Sequence, residues 1–506
     1  MANRRKPSPL DRFLRLFTDV RAGEGVTVVL LAVNVFLILT AYSVLKPVRE
    51  ALILAQGSAE LKSYISAGQV GVLALAVPAY GVLATRLARR RLINVVTAFF
   101  IVCLVLFYVL SQMDVPLGVV FFLWIGIFSL MIVAQFWSFA NDIYTNEEGE
   151  RLFPIVAFGA SAGAVLGAVI AGRLIEPLGV YQLILVGGAF LFLALMVSNR
   201  VDTRERHRAG SLSFDLGAQE EVPAASGEIR IDSREMRKLT LEDLEAAPEP
   251  DEDEDEFEIV EETGQGPFAL VFRCRYLLMI AFLMLFLNWV NTTGGYMLDR
   301  IVLDTAEGAV AAGQAAGLSV EQYIGKFYSD FNAVVNLVGL LIQLFLVSRI
   351  IKYFGIRIAI LFLPLIALGV YGILAFYPLL QVVRWAKTAE NATDYSLNNT
   401  VRHALFLPCT REQKYKAKQA IDSFFWRAGD VLSALLVFVG TSIFAWTINS
   451  FAVFNIGLVL IWLVLAFFIG REYTKLVASG RPPCVSLRQE SMSKPETAVA
   501  GAAREI

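Results

Sequence analysis

Histidine, cysteine and charged side chains are all scarce in this chain of 506 residues, which has 2 His, 4 Cys and only 18% charged residues. The cysteines, at 103, 274, 409 and 484, lie too far apart in sequence to supply the paired ligands of a zinc site or the framework of a disulfide-rich protein. A formal net charge of -2 excludes a basic nucleic-acid-binding protein. The motifs G-x-x-x-x-G-K-[ST], G-x-G-x-x-G and H-E-x-x-H are also absent. We therefore expect neither an enzyme, nor a metal or cofactor, nor a nucleic-acid partner.

What the chain has in abundance is apolar sequence: 56% of its residues are hydrophobic, and its mean hydropathy is +0.60. A helix that crosses a bilayer needs roughly 17 to 25 mainly apolar residues. Eleven runs of this kind occur, at 26–45, 64–83, 92–111, 117–140, 155–175, 180–197, 276–296, 331–350, 356–377, 431–447 and 451–469. A twelfth segment, 378–408, is apolar at its ends and charged in its middle.

Lys and Arg collect on the cytoplasmic side of membrane proteins and so indicate the topology. They cluster at 4–15, 86–91, 200–208, 349–357, 411–418 and 471–481. These clusters alternate regularly along the chain only if 378–408 also crosses the membrane. The sequence therefore predicts about twelve helices in a bacterial inner membrane, with both termini in the cytoplasm. We also expect the protein to be a monomer.

Five segments follow from this topology. They are an N-terminal tail (1–25), a six-helix bundle (26–199), an acidic linker (200–266), a second six-helix bundle (267–472) and a C-terminal tail (473–506). The linker carries an acidic run at 249–262 that cannot bury apolar area, which predicts a disordered cytoplasmic segment. Two six-helix pseudo-repeats joined by a long linker are the layout of the major facilitator superfamily, an all-α integral membrane fold with a central cavity at mid-membrane.

The predicted tenth helix is unusual because it carries several ionisable residues, which are costly inside a bilayer. At about 100° per residue, its polar positions fall within an arc of roughly 100°. They are Arg384, Lys387, Asn391, Asp394, Tyr395, Asn398 and Arg402, with Glu390 at the edge. This predicts a polar face that looks into the bundle. A purely structural role, in which Lys387 pairs with Glu390 or Asp394 to hold helices together, is equally consistent with the spacing.

Other helices add polar groups to the same predicted cavity. Lys46 and Arg49 flank Pro47 at the end of the first helix, and Arg427 lies at the start of the eleventh. Asn291 lies on the seventh. Cations spread over both halves favour an anionic ligand, because Arg binds phosphate and carboxylate oxygens through paired hydrogen bonds. The predicted substrate-binding residues are thus Lys46, Arg49, Asn291, Arg384, Lys387, Asn391, Asp394, Tyr395, Arg402 and Arg427.

Four segments resemble motifs of the ATP/ADP translocase family, the nucleotide transporters of plastids and intracellular bacteria. KPVRE at 46–50 is similar to the family's R-D-T-K-D, and FWSFAN at 136–141 with ERLFPIVAFGA at 150–160 matches its F-W-x-F-A-N and K-R-F-Y-P-L-x-G-L-G-A. YSLNNTVRH at 395–403 resembles Y-S-L-F-D-P-x-K-E, and KAKQAID at 416–422 resembles K-x-K-A-A-I-D. The family's substrate-linked lysines fall at Arg49 and Arg427, which implies that these two residues hold phosphates.

The chain departs from that family where the family has acids, since it carries Ile125, Asn291, Asn399 and His403 there. The resemblance therefore implies an alternating-access exchanger of nucleotides or a related phosphorylated anion, rather than a strict ATP-for-ADP exchanger. Two alternatives stay open. One is a proton-coupled carrier of another organic anion, with Asp394 or Glu390 as the proton site. The other is a non-transporting membrane scaffold that uses the acidic linker.

Overall fold

The computed structural model describes residues 8–15, 18–21, 23–113, 115–219, 266–410, 413–480 and 482–484. Most of the predicted linker and C-terminal tail, and part of the N-terminal tail, lie outside the described residues. The described residues form helices and no strand, which confirms the predicted all-α class. The described residues up to Asp202 and from Gly266 onward form one compact unit, which contains both six-helix halves.

The first half begins with a short helix and continues with six long ones. They are α1 (Pro9–Leu14), α2 (Gly25–Ala55), α3 (Ala59–Arg86), α4 (Arg89–Ser111), α5 (Gly118–Ile143), α6 (Asn146–Leu178) and α7 (Gln182–Gln219). The hydroxyl groups of Ser58 and Thr145 accept backbone N–H groups in the first turns of α3 and α6, which fixes where these helices begin. Because α7 continues to Gln219, the start of the predicted linker is helical.

The second half has the same plan with more interruptions. Its helices are α8 (Pro267–Arg273), α9 (Arg275–Ala311), α10 (Val320–Phe345), α11 (Val347–Phe376), α12 (Leu380–Thr393), α13 (Asn399–Ala404), α14 (Lys418–Ala420), α15 (Trp426–Ser442) and α16 (Ile448–Ser479). Three π-helical turns are inserted, at Asp394–Asn398, Gln413–Ala417 and Ile421–Phe425. Gly355 has a φ of +70° inside α11, where a Cβ atom would be strained, and it marks a kink between two helical pieces.

Eleven of the described helical segments are long and apolar enough to cross a membrane. The twelfth crossing is the continuous helical stretch 380–404, formed by α12, a π-helical turn and α13, which we call the tenth span. At 1.5 Å per residue this stretch is about 37 Å long, and the hydrocarbon core of a bilayer is about 30 Å thick. The charged residues of this stretch lower its mean hydropathy, so a hydropathy criterion alone does not identify it. Its length and the alternation of basic clusters along the chain do.

The first half is held together by backbone contact between α2 and α6. A Cβ atom placed on Gly159, Gly163 or Gly167 would lie within 3.0 Å of the carbonyl oxygens of Ala32, Phe36 and Thr40. Only glycine permits such an approach, and small residues at intervals of four are typical of close helix packing in membranes.

One disulfide joins Cys274, at the start of α9, to Cys484, 210 residues later. The wide spacing of the cysteines in the sequence did not indicate this pairing. Gln413 Nε2 also donates a hydrogen bond to the Pro483 carbonyl oxygen, at 3.0 Å. The described residues after α16 are therefore attached both to the start of α9 and to the π-helical turn Gln413–Ala417.

The two ends of the bundle differ. We call the end where α2 ends at Ala55 and α9 ends at Ala311 the closed end, and the opposite end, where these helices begin, the open end. The hydrogen bonds between described residues of the two halves lie from mid-bundle to the closed end. They join Lys46 to Asn332, Lys62 to Asp299, Tyr296 and Arg300 to Glu60, Gln322 to Ile175, Lys326 to Glu176 and Asn336 to Ala164.

Candidate functional site

A cavity of about 260 Å³ lies at the open end of the second half, which we call the cationic cavity. It is formed by the last turns of the tenth span, by the segment that leads into α15, and by one residue of α9. The described residues that line it are Met284, Arg402, His403, Phe406, Lys418, Asp422, Trp426 and Arg427. Three of these carry a positive charge and one carries a negative charge, so the cavity favours an anion.

Aromatic rings and polar neighbours hold the cations of this cavity in place. The guanidinium of Arg402 lies 4.8 Å from the centre of the Trp426 ring, and its Nη2 donates to Asn399 Oδ1 at 3.0 Å. The Nε of Arg402 is shielded from solvent and has no hydrogen-bond partner among the described residues. Because a buried unpaired N–H is costly, an oxygen of a bound anion would stabilise it.

Lys418 and Arg427 complete the positive side of the cavity. Lys418 Nζ lies 3.1 Å from His403 Nδ1 and 5.6 Å from the centre of the Phe406 ring. A contact with an ammonium group makes this imidazole nitrogen the acceptor, so the neutral ring keeps its proton on Nε2. Arg427 Nη1 donates to Asp430 Oδ2 at 3.3 Å.

Asp430 anchors Arg427 because its other oxygen is already bound within the half. Asp430 Oδ1 accepts from Asn288 Nδ2 at 2.8 Å and from Thr292 Oγ1 at 2.9 Å. Asn288 Nδ2 also donates to the Trp426 carbonyl oxygen at 2.7 Å. The position of Arg427 is therefore set by α9.

Two of the three π-helical turns among the described residues, at Asp394–Asn398 and Ile421–Phe425, lie in spans that form the cationic cavity, and the third, Gln413–Ala417, lies in the segment between those spans. A π-helical turn places an extra residue in the helix and rotates the residues that follow, and such turns occur frequently at functional sites. The interruption at Ile421–Phe425 directly precedes Trp426 and Arg427.

Lys387 and Glu390 do not reach this cavity. They form an ion pair of 2.7 Å inside the second half, with side-chain exposures of 2% and 5%. Tyr371 on α11 donates to Glu390 Oε1 at 3.0 Å, and Lys387 Nζ lies 3.4 Å from the Tyr371 hydroxyl. The ion pair between Lys387 and Glu390, which the sequence allowed as a purely structural alternative to a binding role, is therefore present.

The remaining polar residues of the tenth span take different environments. Asp394 is buried, and its Oδ1 accepts from Asn398 Nδ2 at 2.7 Å. It forms no ion pair with a described residue. Tyr395, the next residue, is 50% exposed. Asn391, and Asn291 on α9, are partly buried and make no side-chain hydrogen bond within the described part of the chain.

Arg384 lies at the opposite end of the tenth span, in a separate cavity of about 270 Å³ at the closed end. Its guanidinium lies 5.9 Å from the centre of the Phe327 ring and 5.8 Å from that of Trp385. Lys326 and Asp330 of α10 also line this cavity.

Lys46 and Arg49 lie towards the closed end and are not brought to the cationic cavity. Lys46 Nζ donates to Asn332 Oδ1 in the other half at 3.0 Å. Arg49 forms an ion pair with Glu50, and its guanidinium lies 4.7 Å from the centre of the Phe122 ring. Of the predicted cations, only Arg402 and Arg427 share one cavity in this conformation.

Lys62 completes a buried charge cluster at the closed end. Its Nζ lies 2.6 Å from Glu50 Oε2 in its own half and 2.7 Å from Asp299 Oδ1 in the other half. The Tyr328 hydroxyl also donates to Asp299 Oδ1. One lysine thus joins carboxylates of both halves.

A second cavity at the open end belongs to the first half, and we call it the aromatic cavity. Its volume is about 870 Å³, and it lies between the end of α5 and the start of α6. The described residues that line it are Trp137, Asn141, Tyr144, Thr145, Gly149, Phe153, Pro154 and Ala157, none of which is charged at neutral pH. The Trp137 and Phe153 rings meet edge to face, with centroids 5.6 Å apart.

Comparison with known families now identifies the architecture. The model of the Major Facilitator Superfamily matches residues 31–406. The chain belongs to the Major Facilitator Superfamily. This confirms the predicted fold of two six-helix halves, and the protein is a multi-pass membrane protein and a secondary transporter of small molecules. No relative among the curated proteins matches the chain.

Solved structures of superfamily transporters share this fold. The nucleoside transporter NupG matches with a TM-score of 0.54 and 11% identity, over 90% of this chain and 98% of NupG. A D-xylose–proton symporter matches with a TM-score of 0.54 and 13% identity, over 87% and 96% of the two chains. A POT family transporter matches with a TM-score of 0.53 and 12% identity, over 88% and 96%. At these identities the likeness concerns the fold alone.

The sequence did not mark several residues of the two cavities as site residues. Lys418 and His403 were recognised only as parts of motifs, and Trp137 and Phe153 only as parts of F-W-x-F-A-N and its continuation. The signal was available, because two of the four family-like segments, 395–403 and 416–422, end in the cationic cavity. A third, 136–141 with 150–160, surrounds the aromatic cavity.

Proposed function

We propose that this superfamily member carries a small phosphorylated anion across a bacterial inner membrane. We further propose that it acts as a monomer, with both termini and the open end of the bundle in the cytoplasm. The observation that supports the substrate class is the cationic cavity, whose lining contains Arg402, Lys418 and Arg427 with one acid, Asp422, while Asp430 outside the lining pairs with Arg427. The basic clusters at 4–15, 86–91 and 471–481 support the orientation.

Phosphate is the anion that best fits these donors. A guanidinium presents a rigid set of N–H groups that pair with phosphate oxygens, and an ammonium adds a compact charge. The unpaired Nε of Arg402 offers a ready donor. Asp422 and Asp430 offset part of the positive charge, and a neutral sugar or nucleoside would leave the remainder uncompensated within the membrane-spanning region.

The finer proposal is exchange of nucleotides or closely related phosphorylated metabolites. It is supported by the resemblance of 395–403 and 416–422 to nucleotide-translocase motifs, since both segments supply residues to the cationic cavity. Closing an empty cavity that has excess positive charge is energetically unfavourable, because closure removes that charge from water. A bound anion neutralises it, so return with cargo is faster than return without cargo.

Transport in proteoliposomes tests the proposal. Radiolabelled ATP uptake should be stimulated by internal nucleotide in the wild type and should fall at least tenfold in Arg427→Gln and in Arg402→Gln. The matched control is Arg471→Gln, which removes an exposed arginine near the same end and should transport normally. An uptake rate that does not depend on internal nucleotide would exclude exchange. Uptake that is unchanged in both cavity variants would exclude the cationic cavity as the binding site.

A second candidate is proton-coupled transport of an organic anion, and it is favoured by Asp394. This carboxylate is buried in the middle of the tenth span, with Asn398 as its hydrogen-bond partner and no ion pair to a described residue. Asp394 is therefore the candidate proton site, because Glu390 is already paired with Lys387.

A pH gradient applied to liposomes without internal substrate discriminates between the two mechanisms. Under proton coupling, the gradient alone drives concentrative uptake, and Asp394→Asn abolishes this response while exchange across equal pH continues. Under simple exchange, the gradient has no effect and Asp394→Asn leaves the dependence on internal substrate intact.

A further inference from the structure

We infer that the aromatic cavity receives the planar ring of the substrate while the cationic cavity holds its phosphates, so that each half of the transporter binds one end of the same molecule. This inference rests on the proposed function and deepens it. It defines the substrate class as a phosphorylated compound with a flat, uncharged ring, such as a nucleotide.

The two cavities differ in chemistry. The described lining of the aromatic cavity has three aromatic rings, from Trp137, Tyr144 and Phe153, and no charged group. The described lining of the cationic cavity has three cations. A ligand with one apolar aromatic end and one anionic end matches these two cavities. Its ring would leave water for an aromatic lining, and its anionic group would exchange contacts with water for contacts with cations.

The aromatic cavity faces the second half. Phe153 and Ala157 lie eleven and seven residues before Ala164 on α6, which at 100° per residue places all three on one face. Ala164 faces the second half, since its carbonyl oxygen accepts from Asn336 of α10 at 3.2 Å. Closer to the open end, the same face of α6 therefore looks towards the second half from the aromatic cavity.

The cationic cavity faces the first half. Arg427 lies eleven residues before Phe438 on α15, so the two share a face. The Phe438 ring contacts Tyr64 of the first half, with centroids 6.2 Å apart. Arg427 therefore points towards the first half. In parallel repeats related by an axis along the membrane normal, α5–α6 and the segments leading to α15 are equivalent, so the two cavities lie on opposite sides of one gap.

The aromatic cavity holds its rings in place while leaving part of their surface available to a ligand. Phe153 makes edge-to-face contacts with Trp137 and with Tyr144, whose centroid is 6.1 Å away. Trp137 stays only partly buried, and Asn141 is exposed beside it. A ring face for stacking and an amide for the edge of a heterocycle are thus offered together.

Equilibrium binding to the purified full-length protein tests the inference with two probes, ATP and inorganic tripolyphosphate. Aromatic stacking on a base is worth enough that its removal should weaken ATP binding roughly 5- to 100-fold in Trp137→Ala. Tripolyphosphate has no ring, so its affinity should stay within about twofold of the wild type. Trp137→Phe should restore most of the ATP affinity. Phe158→Ala, which removes a 55% exposed ring outside the cavity, is the matched control and should change neither affinity.

Asn141→Ala provides a second variant that changes only an exposed side chain, so it tests the cavity even if Trp137→Ala fails to fold. It should weaken ATP binding and spare tripolyphosphate. Equal loss of both probes in Trp137→Ala and Asn141→Ala, or wild-type affinity for tripolyphosphate equal to that for ATP, would overturn the inference and leave the proposed function standing. A wild-type protein that binds neither probe would overturn the proposed function itself.

Discussion

Replacing Lys62 by methionine should open the closed end of the bundle. Lys62 touches Glu50 of its own half and Asp299 of the other half, and the two carboxylates are only 4% and 6% exposed. Methionine keeps most of the volume and removes the charge. Glu50 would keep its contact with Arg49, whereas Asp299 would keep only the Tyr328 hydroxyl as a partner.

The free-energy cost of the Lys62→Met substitution depends on the unpaired Asp299 carboxylate that it leaves behind. Removing one partner of a buried ion pair costs about 3–5 kcal/mol, because the other charge stays buried without compensation. That free energy acts against the closed arrangement, in which Asp299 is buried between the halves. It corresponds to a shift of roughly 100-fold or more in the equilibrium between closed and open forms of this end. Adding Asp299→Asn to Lys62→Met removes the unpaired charge and should restore most of the closed population.

Lys326→Met is the matched control, since it also removes a lysine that pairs across the halves. Lys326 and Glu176 are 41% and 46% exposed, so this pair should contribute at most about 1 kcal/mol. A cysteine introduced at the buried Ser329 reports the state of this end through its rate of reaction with a water-soluble maleimide. The rate should rise strongly in Lys62→Met and little in Lys326→Met. Equal rates in wild type and Lys62→Met, with thermal stability unchanged, would refute the argument that the buried cluster holds this end shut.

Two further predictions concern folding stability. Gly163→Leu should lower the melting temperature of the purified protein severely, because a Cβ atom at this position collides with the Phe36 carbonyl oxygen. The control, Gly71→Leu, lies at a position with open space and should be tolerated. Similar losses of stability in both variants would contradict the proposed close contact between α2 and α6. The pKa of Asp11, which lies before the membrane-spanning helices, is lowered: burial alone would raise it, but N–H groups of Ser8, Gly23 and Gly25 stabilise the carboxylate. This stabilisation is complete above an ordinary aspartate pKa of about 3.9 and is lost as the pH falls through the lower pKa of Asp11 in the folded protein. Asp11→Asn should therefore reduce the melting temperature at pH 7 and have no effect at the acidic limit. A loss of melting temperature that does not depend on pH would contradict this prediction.

The tenth span illustrates how far sequence reasoning reaches. Charge alternation correctly predicted a helix where hydropathy is low, and the polar arc was built from a constant 100° per residue. The π-helical turn at Asp394–Asn398 breaks that constancy. Asp394 is buried and Tyr395 is half exposed, so the stripe does not present a single face to a single cavity. Periodicity cannot show where a helix takes an extra residue, because that depends on tertiary contacts.

The placement of the cations shows a different limit. The sequence predicted that Lys46 and Arg49 lie with Arg402 and Arg427, whereas here the first pair lies towards the closed end. A transporter alternates between arrangements with different contacts, and one sequence encodes all of them. Lys387 could be assigned to a binding face or to an ion pair with equal justification, and only coordinates show that Glu390 and Tyr371 surround it.

The glycine contacts between α2 and α6 have a mechanical consequence. Side chains that interdigitate can exchange rotamers and let helices slide, but Gly159, Gly163 and Gly167 leave no such layer between the two main chains. These helices must therefore travel together as one stiff element during each transport cycle. Movement between inward- and outward-facing forms then has to be absorbed where α2 and α6 meet α10. That boundary is the place to look for variants that slow turnover without weakening substrate affinity.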